Sequence, residues 1–129
     1  MVQWNKTLKR TQKIEISPYY VAQKQHQRFF ITNMKAVNSK RRSRTTLIVV
    51  PGHGSHQEFM DLCVQFAKQN VEVFLLDLIG FGFSGGSRFN ASREEIFTQL
   101  QQVLSLVDRH VSLFIYAHGF GANFVVEFI

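Results

Sequence analysis

Apolar and polar positions change their rhythm near residue 45 of this chain. Before it, Gln12–Ser17 alternates with the period of a strand, and Arg28–Lys35 holds a second strand built on Phe29, Phe30 and Ile31. Asn38–Arg44 is polar and basic, and reads as an exposed connection. Thr46–Val50 is then a short apolar run of the kind buried on both faces, stopped by Pro51-Gly52. Within His56–Asn70, Phe59, Leu62, Cys63, Phe66 and Ala67 recur at helical spacing and define one face. Val71–Asp77 predicts another strand, followed by a glycine-rich loop over Leu78–Asn90. Ser92 and Glu95 form a capping-box pattern for a helix carrying Ile96, Leu100, Val103, Leu104 and Val107. Val111–Ala117 reads as a further buried strand and Phe120–Ile129 as the start of a helix. Strands and helices in alternation, with near-continuous apolar strands, predict an α/β fold: a mostly parallel sheet with helices on both faces.

Composition narrows this picture. The 129 residues suit one domain and 45% are hydrophobic, enough for a single core, to which thirteen phenylalanines contribute. No repeat, low-complexity tract or domain boundary is visible, so residues 1–129 form one unit: basic N-terminal strands and connection over 1–44, and a β/α core over 45–129. Cys63 is the sole cysteine, which excludes a disulfide scaffold and fits a reducing compartment. Its place on the apolar helix face predicts a small core residue. No apolar run approaches the ~18 residues of a transmembrane helix, and the first residues do not resemble a secretory signal. The expected location is intracellular and cytoplasmic. A mitochondrial presequence is the alternative, since Lys6, Lys9, Arg10 and Lys13 precede the first acidic residue.

Charge is unevenly placed. The net charge is +6, yet residues 1–44 hold eleven Lys/Arg against Glu15 alone, while residues 45–129 hold four basic and eight acidic residues. Lys40, Arg41, Arg42 and Arg44 form a basic patch that is either a solvated edge, a nuclear-localisation signal or a contact for nucleic acid or an anionic membrane. No aromatic or motif signature of a nucleic-acid fold accompanies it, which favours the solvated edge.

Three segments carry the candidate chemistry. The strand at Val111–Ala117 runs into Ala117-His118-Gly119-Phe120-Gly121-Ala122 and then a helix, where an α/β hydrolase places its nucleophile elbow, G-x-S-x-G. Ala117 and Gly121 supply the small residues the close strand–helix approach needs. Gly119 stands where the nucleophilic serine would be, and glycine accepts the strained backbone of that position. Val50-Pro51-Gly52-His53-Gly54-Ser55-His56 resembles the H-G-x-G-x-H stretch after the third strand of serine aminopeptidases and monoacylglycerol lipases. Asp77-Leu78-Ile79-Gly80-Phe81-Gly82-Phe83-Ser84-Gly85-Gly86 resembles the D-x-x-G-x-G-x-S-G-G loop after the fourth strand of the same family. The resemblance spans about residues 12–129 and departs at Pro51, in place of histidine, and at Gly119.

The resemblance implies a three-layer α/β-hydrolase fold, incomplete at its C-terminal side. It also implies oxyanion-hole donors at the backbone N–H groups of His53 and Phe120, an elbow at Ala117, His118 and Gly121, and family loop positions at Asp77, Gly80, Gly82, Ser84 and Gly85. A serine hydrolase needs an acid and a histidine after its nucleophile. After Gly119 these residues contain Glu127 and no histidine. No catalytic residue is therefore assigned.

Other chemistries are weaker. His53 and His56 lie three apart without a third ligand at a recognisable spacing, so no metal is expected. Gly80, Gly82 and Gly85 spell G-x-G-x-x-G, but the helix waits until about residue 93, unlike a dinucleotide site. No cofactor is expected.

Three functions follow. The leading one is a pseudoenzyme or fragment acting through binding or assembly, as the resemblance to the serine-lacking N-myc downstream-regulated family implies. The alternatives are a truncated serine hydrolase acting on esters, acylglycerols or peptides, and a basic interaction module using residues 1–44. The family's chain order places Val111–Ala117 mid-sheet. That strand and an apolar surface of Phe124, Val125, Phe128 and Ile129 then call for a protein partner or self-association.

Overall fold

The computed structural model describes residues 13–22, 28–37, 42–51, 57–78, 83–85 and 92–129. In chain order they form β1 (Ile14–Ala22), β2 (Arg28–Ala36), β3 (Thr45–Val50), α1 (Gln57–Lys68), β4 (Val71–Leu76), α2 (Arg93–Ser105), β5 (Ser112–Ala117) and α3 (Phe120–Phe128). One five-stranded sheet has the order β1-β2-β4-β3-β5. Strands β4, β3 and β5 run parallel, β2 is antiparallel to β4, and β1 is antiparallel to β2.

Most of the expected elements appear where the apolar rhythm puts them. One boundary fails for a physical reason: β1 continues through Pro18 to Ala22, where a strand ending at Ser17 was expected. Proline lacks a ladder donor and is tolerated on an edge strand, and β1 is an edge.

The helices cover both faces. On one side α1 packs Cys63 and Ala67 against Met34, Leu47, Val49, Val73 and Leu75. On the other, Ile96, Leu100 and Val103 of α2 and Val125 of α3 meet Phe29, Ile31, Ile48, Val50, Phe74 and Leu76. Strands β3 and β4 are thus sandwiched, which is why they read as unbroken apolar runs. Burial pushes the Cys63 thiol up to about 11, so it sits in the core as a neutral, small apolar group.

Three expectations about burial are corrected. Val111–Ala117 was expected to be a buried strand, yet Leu113, Phe114 and Tyr116 of β5 are 39%, 58% and 42% exposed. The strand is the second edge of the sheet: Ile115 and Ala117 pack on the core and the Tyr116 ring lies 6.3 Å from that of Phe59, but among the described residues no strand pairs with its outer side. Leu62 and Phe66 share the apolar face of α1 but are each 40% exposed, whereas Cys63 and Ala67 point into the core. Phe124, Val125 and Phe128 do not form an open surface: Val125 is buried, and Phe124 and Phe128 are partly buried against the core. Phe97 of α2 supplies part of the cover, its ring 5.8 Å from that of Phe128. Ile129 does stay exposed.

Candidate functional site

The elbow forms at the carboxyl ends of the parallel strands. Strand β5 ends at Ala117, the His118 N–H extends the pairing to Val50 O at 3.0 Å, and α3 begins at Phe120. Gly119 makes the turn with φ 53° and ψ −122°, a region nearly closed to residues with a Cβ. As the first residue of α3, Phe120 has an N–H with no intrahelical carbonyl to bond. Gly121 is buried against the end of β3: a Cβ there would lie 2.5 Å from Pro51 O and 3.0 Å from Val50 Cγ1. Strand and helix approach so closely that only glycine fits. His118 is exposed, its ring 5.7 Å from Phe59 of α1.

The loop after β4 is tied down by a polar network. Asp77 is buried, and its Oδ2 accepts from the Phe83 N–H at 2.8 Å. The Asp77 carbonyl accepts from the Ser84 hydroxyl and, at 2.6 Å, from Gln99 Nε2. Ser84 Oγ in turn accepts from the Phe30 N–H at 2.8 Å, and the Gly85 N–H reaches Arg28 O at 2.6 Å. Asp77 and Ser84 therefore fasten the loop to β2 and α2, and the Ser84 hydroxyl is engaged on both sides as donor and acceptor. Gln99 escaped the sequence reading. Its signal was a position three residues after Ile96, on the face of α2 that points into the core.

The remaining assigned positions divide plainly. His53, Gly80, Gly82, Lys40 and Arg41 lie outside the described residues. Arg42 and Arg44 lie just before β3, at the end of the sheet opposite the elbow, and are not brought to it. Among the described residues no three His, Cys, Asp or Glu side chains converge as a metal ligand set. Glu127 pairs with Arg93 Nε at 2.8 Å on the outer surface of α2 and α3.

A positive-φ turn between a parallel strand and a helix, beside a glycine pressed on the neighbouring strand, is the backbone of a nucleophile elbow. The family model for serine aminopeptidase, S33, matches residues 41–129. The chain belongs to that family. Members are serine hydrolases, and solved structures agree on the family's fold. The chain is similar to a soluble variant of monoglyceride lipase from Saccharomyces cerevisiae (TM-score 0.71, 13% identity), covering 92% of this chain and 40% of that one. It is also similar to the thioesterase domain from the curacin biosynthetic pathway (TM-score 0.71, 14% identity, 88% and 40% covered). An epoxide hydrolase mutant from Vigna radiata is a third (TM-score 0.66, 16% identity, 88% and 34%). The family chain thus spans about 40% of the length of the first of these structures. No curated protein matches it. No helix among the described residues is long and apolar enough to cross a membrane.

Proposed function

We propose that this chain is a non-catalytic member of its family that acts through binding or assembly. The observation carrying this reading is Gly119. It holds the strained backbone of the elbow, φ 53°, without a hydroxyl to attack a carbonyl carbon. Beside it, the Phe120 N–H is a donor suited to an oxyanion. Binding would use the open edge of β5, where Leu113, Phe114 and Tyr116 are exposed and no charge or proline interrupts Leu113–Tyr116.

A second reading is favoured by that same edge and by the 40% span of the matched structures. In it the chain is the first part of a hydrolase of esters, acylglycerols or peptides, and the sheet continues in further polypeptide. Gly119 weighs against catalysis in this reading too.

Incubation of the 129-residue chain with a fluorophosphonate probe and with p-nitrophenyl acetate tests the proposal. No labelling and no hydrolysis above a heat-denatured control are expected, from the chain itself or from Gly119→Ser. Stoichiometric labelling of the unsubstituted chain overturns it.

A further inference from the structure

At the end of the sheet remote from the elbow, the chain forms a cavity of about 620 Å³, lined among the described residues by Arg42, Arg44, Gln69 and Asn70. Its lining comes from the segments entering two neighbouring parallel strands: 42–44 leads into β3 and 69–70 into β4. Strand β3 is six residues long, so roughly 20 Å separates this cavity from the elbow. We propose that it is a binding site for a small phosphorylated molecule.

The backbone holds the two arginines in place. Ser43 turns inward: its Oγ donates to Thr45 O at 2.8 Å and accepts from the Glu72 N–H at 3.3 Å. Arg44 O accepts from the Ser112 N–H at 2.8 Å, which fixes the same segment to β5. With residue 43 pinned between strands, the side chains on either side of it both line the cavity. On the opposite wall, α1 ends in a left-handed turn at Asn70, φ 62°, closed by the Asn70 N–H on Ala67 O at 3.0 Å. Asparagine tolerates that conformation, and the turn sets Gln69 and Asn70 in the cavity lining with the two arginines.

Two guanidiniums on one wall are donors suited to phosphate oxygens, which arginine binds through two parallel N–H groups. Arg42 has one carboxylate partner among the described residues, Asp108 at 3.1 Å. That pair is surface-exposed, its side chains 88% and 35% accessible, so Arg42 is loosely held and free to share its charge with a ligand. Arg44 makes no ion pair among the described residues. The volume exceeds that of inorganic phosphate and lies within the usual range for small-molecule sites. A concave site suits a small soluble phosphate ester better than a lipid headgroup fixed in a flat surface.

Titration calorimetry of the 129-residue chain with inorganic pyrophosphate, at low and moderate salt, provides the test. Saturable binding is expected, weakened about tenfold by Arg44→Gln, in line with the loss of charge-assisted hydrogen bonds, and weakened further by raised salt. Asp108→Asn should tighten binding, because it removes the carboxylate that competes for Arg42. This variant keeps the test sound even if an arginine variant folds poorly. Arg93→Gln, on a distant surface, should change nothing. Absence of saturable binding overturns the proposal, as does an unchanged affinity in Arg44→Gln. Co-sedimentation with phosphatidylserine vesicles without any pyrophosphate binding also overturns it, in favour of a lipid surface. Since the cavity and the elbow lie at opposite ends, fluorophosphonate labelling would sink the non-catalytic reading and leave this one standing.

Discussion

Gly119 and Gly121 sit two residues apart and are glycine for different reasons, which makes them separable by mutation. At Gly121 the obstacle is space: an added methyl would lie 2.5 Å from Pro51 O, a backbone atom that cannot swing aside. Gly121→Ala should therefore lower unfolding stability by at least the ~1–3 kcal/mol typical of overpacking. At Gly119 the obstacle is conformation, and the residue is exposed, so serine fits there at the cost of backbone strain alone. Gly119→Ser should cost about 1–3 kcal/mol. Urea melts of both variants check this; a Gly121→Ala protein as stable as the parent would mean the elbow can retreat from β3. Both positions were legible in the sequence, because a spacing of small residues between strand and helix encodes close approach directly. Gln99 was not. A glutamine reads as surface until the fold shows the Asp77 carbonyl waiting opposite it.

Among the elements, those with two covered faces were the easiest to read. Strands β3 and β4 and the buried stripe of α2 follow their apolar periods closely, since both neighbours of each residue are protein. The N-terminus of α2 is the clearest local signal: Ser92 Oγ accepts from the Glu95 N–H at 3.1 Å, and Glu95 Oε1 accepts from the Ser92 N–H at 3.3 Å. Edges were harder. The strand expected to stop at Ser17 runs on through Pro18 to Ala22, because an edge imposes only half the constraints that a pattern is read from. Helix α2 also carries the tie to the family loop, through Gln99. Gln99→Leu keeps the volume but removes a donor from the Asp77 carbonyl, and should destabilise the protein by about 1–3 kcal/mol. Gln101→Leu, one turn-face away on the exposed side, should stay within about 0.5 kcal/mol. Equal effects in thermal melts of the two variants would remove the buried tie from the account.

For the whole molecule, the decisive contrast lies between the two edges of the sheet. β5 offers an unguarded ladder with Leu113, Phe114 and Tyr116 exposed beside it. Sedimentation of the 129-residue chain is expected to show concentration-dependent association, reduced by Phe114→Lys, which places a charge on that edge. A sharp monomer at all concentrations, unaltered by the substitution, would mean the edge is already satisfied. β1, at the other side, carries Pro18 without an N–H, with Lys13 and Glu15 exposed nearby. Such a sheet has one sticky margin and one blunt one. If copies of the chain join β5 to β5 about a two-fold axis, each spends its single open margin on the other, and only blunt margins face outward. Growth then terminates itself at two subunits, and Pro18, far from any partner, is the residue that keeps a dimer from becoming a fibre.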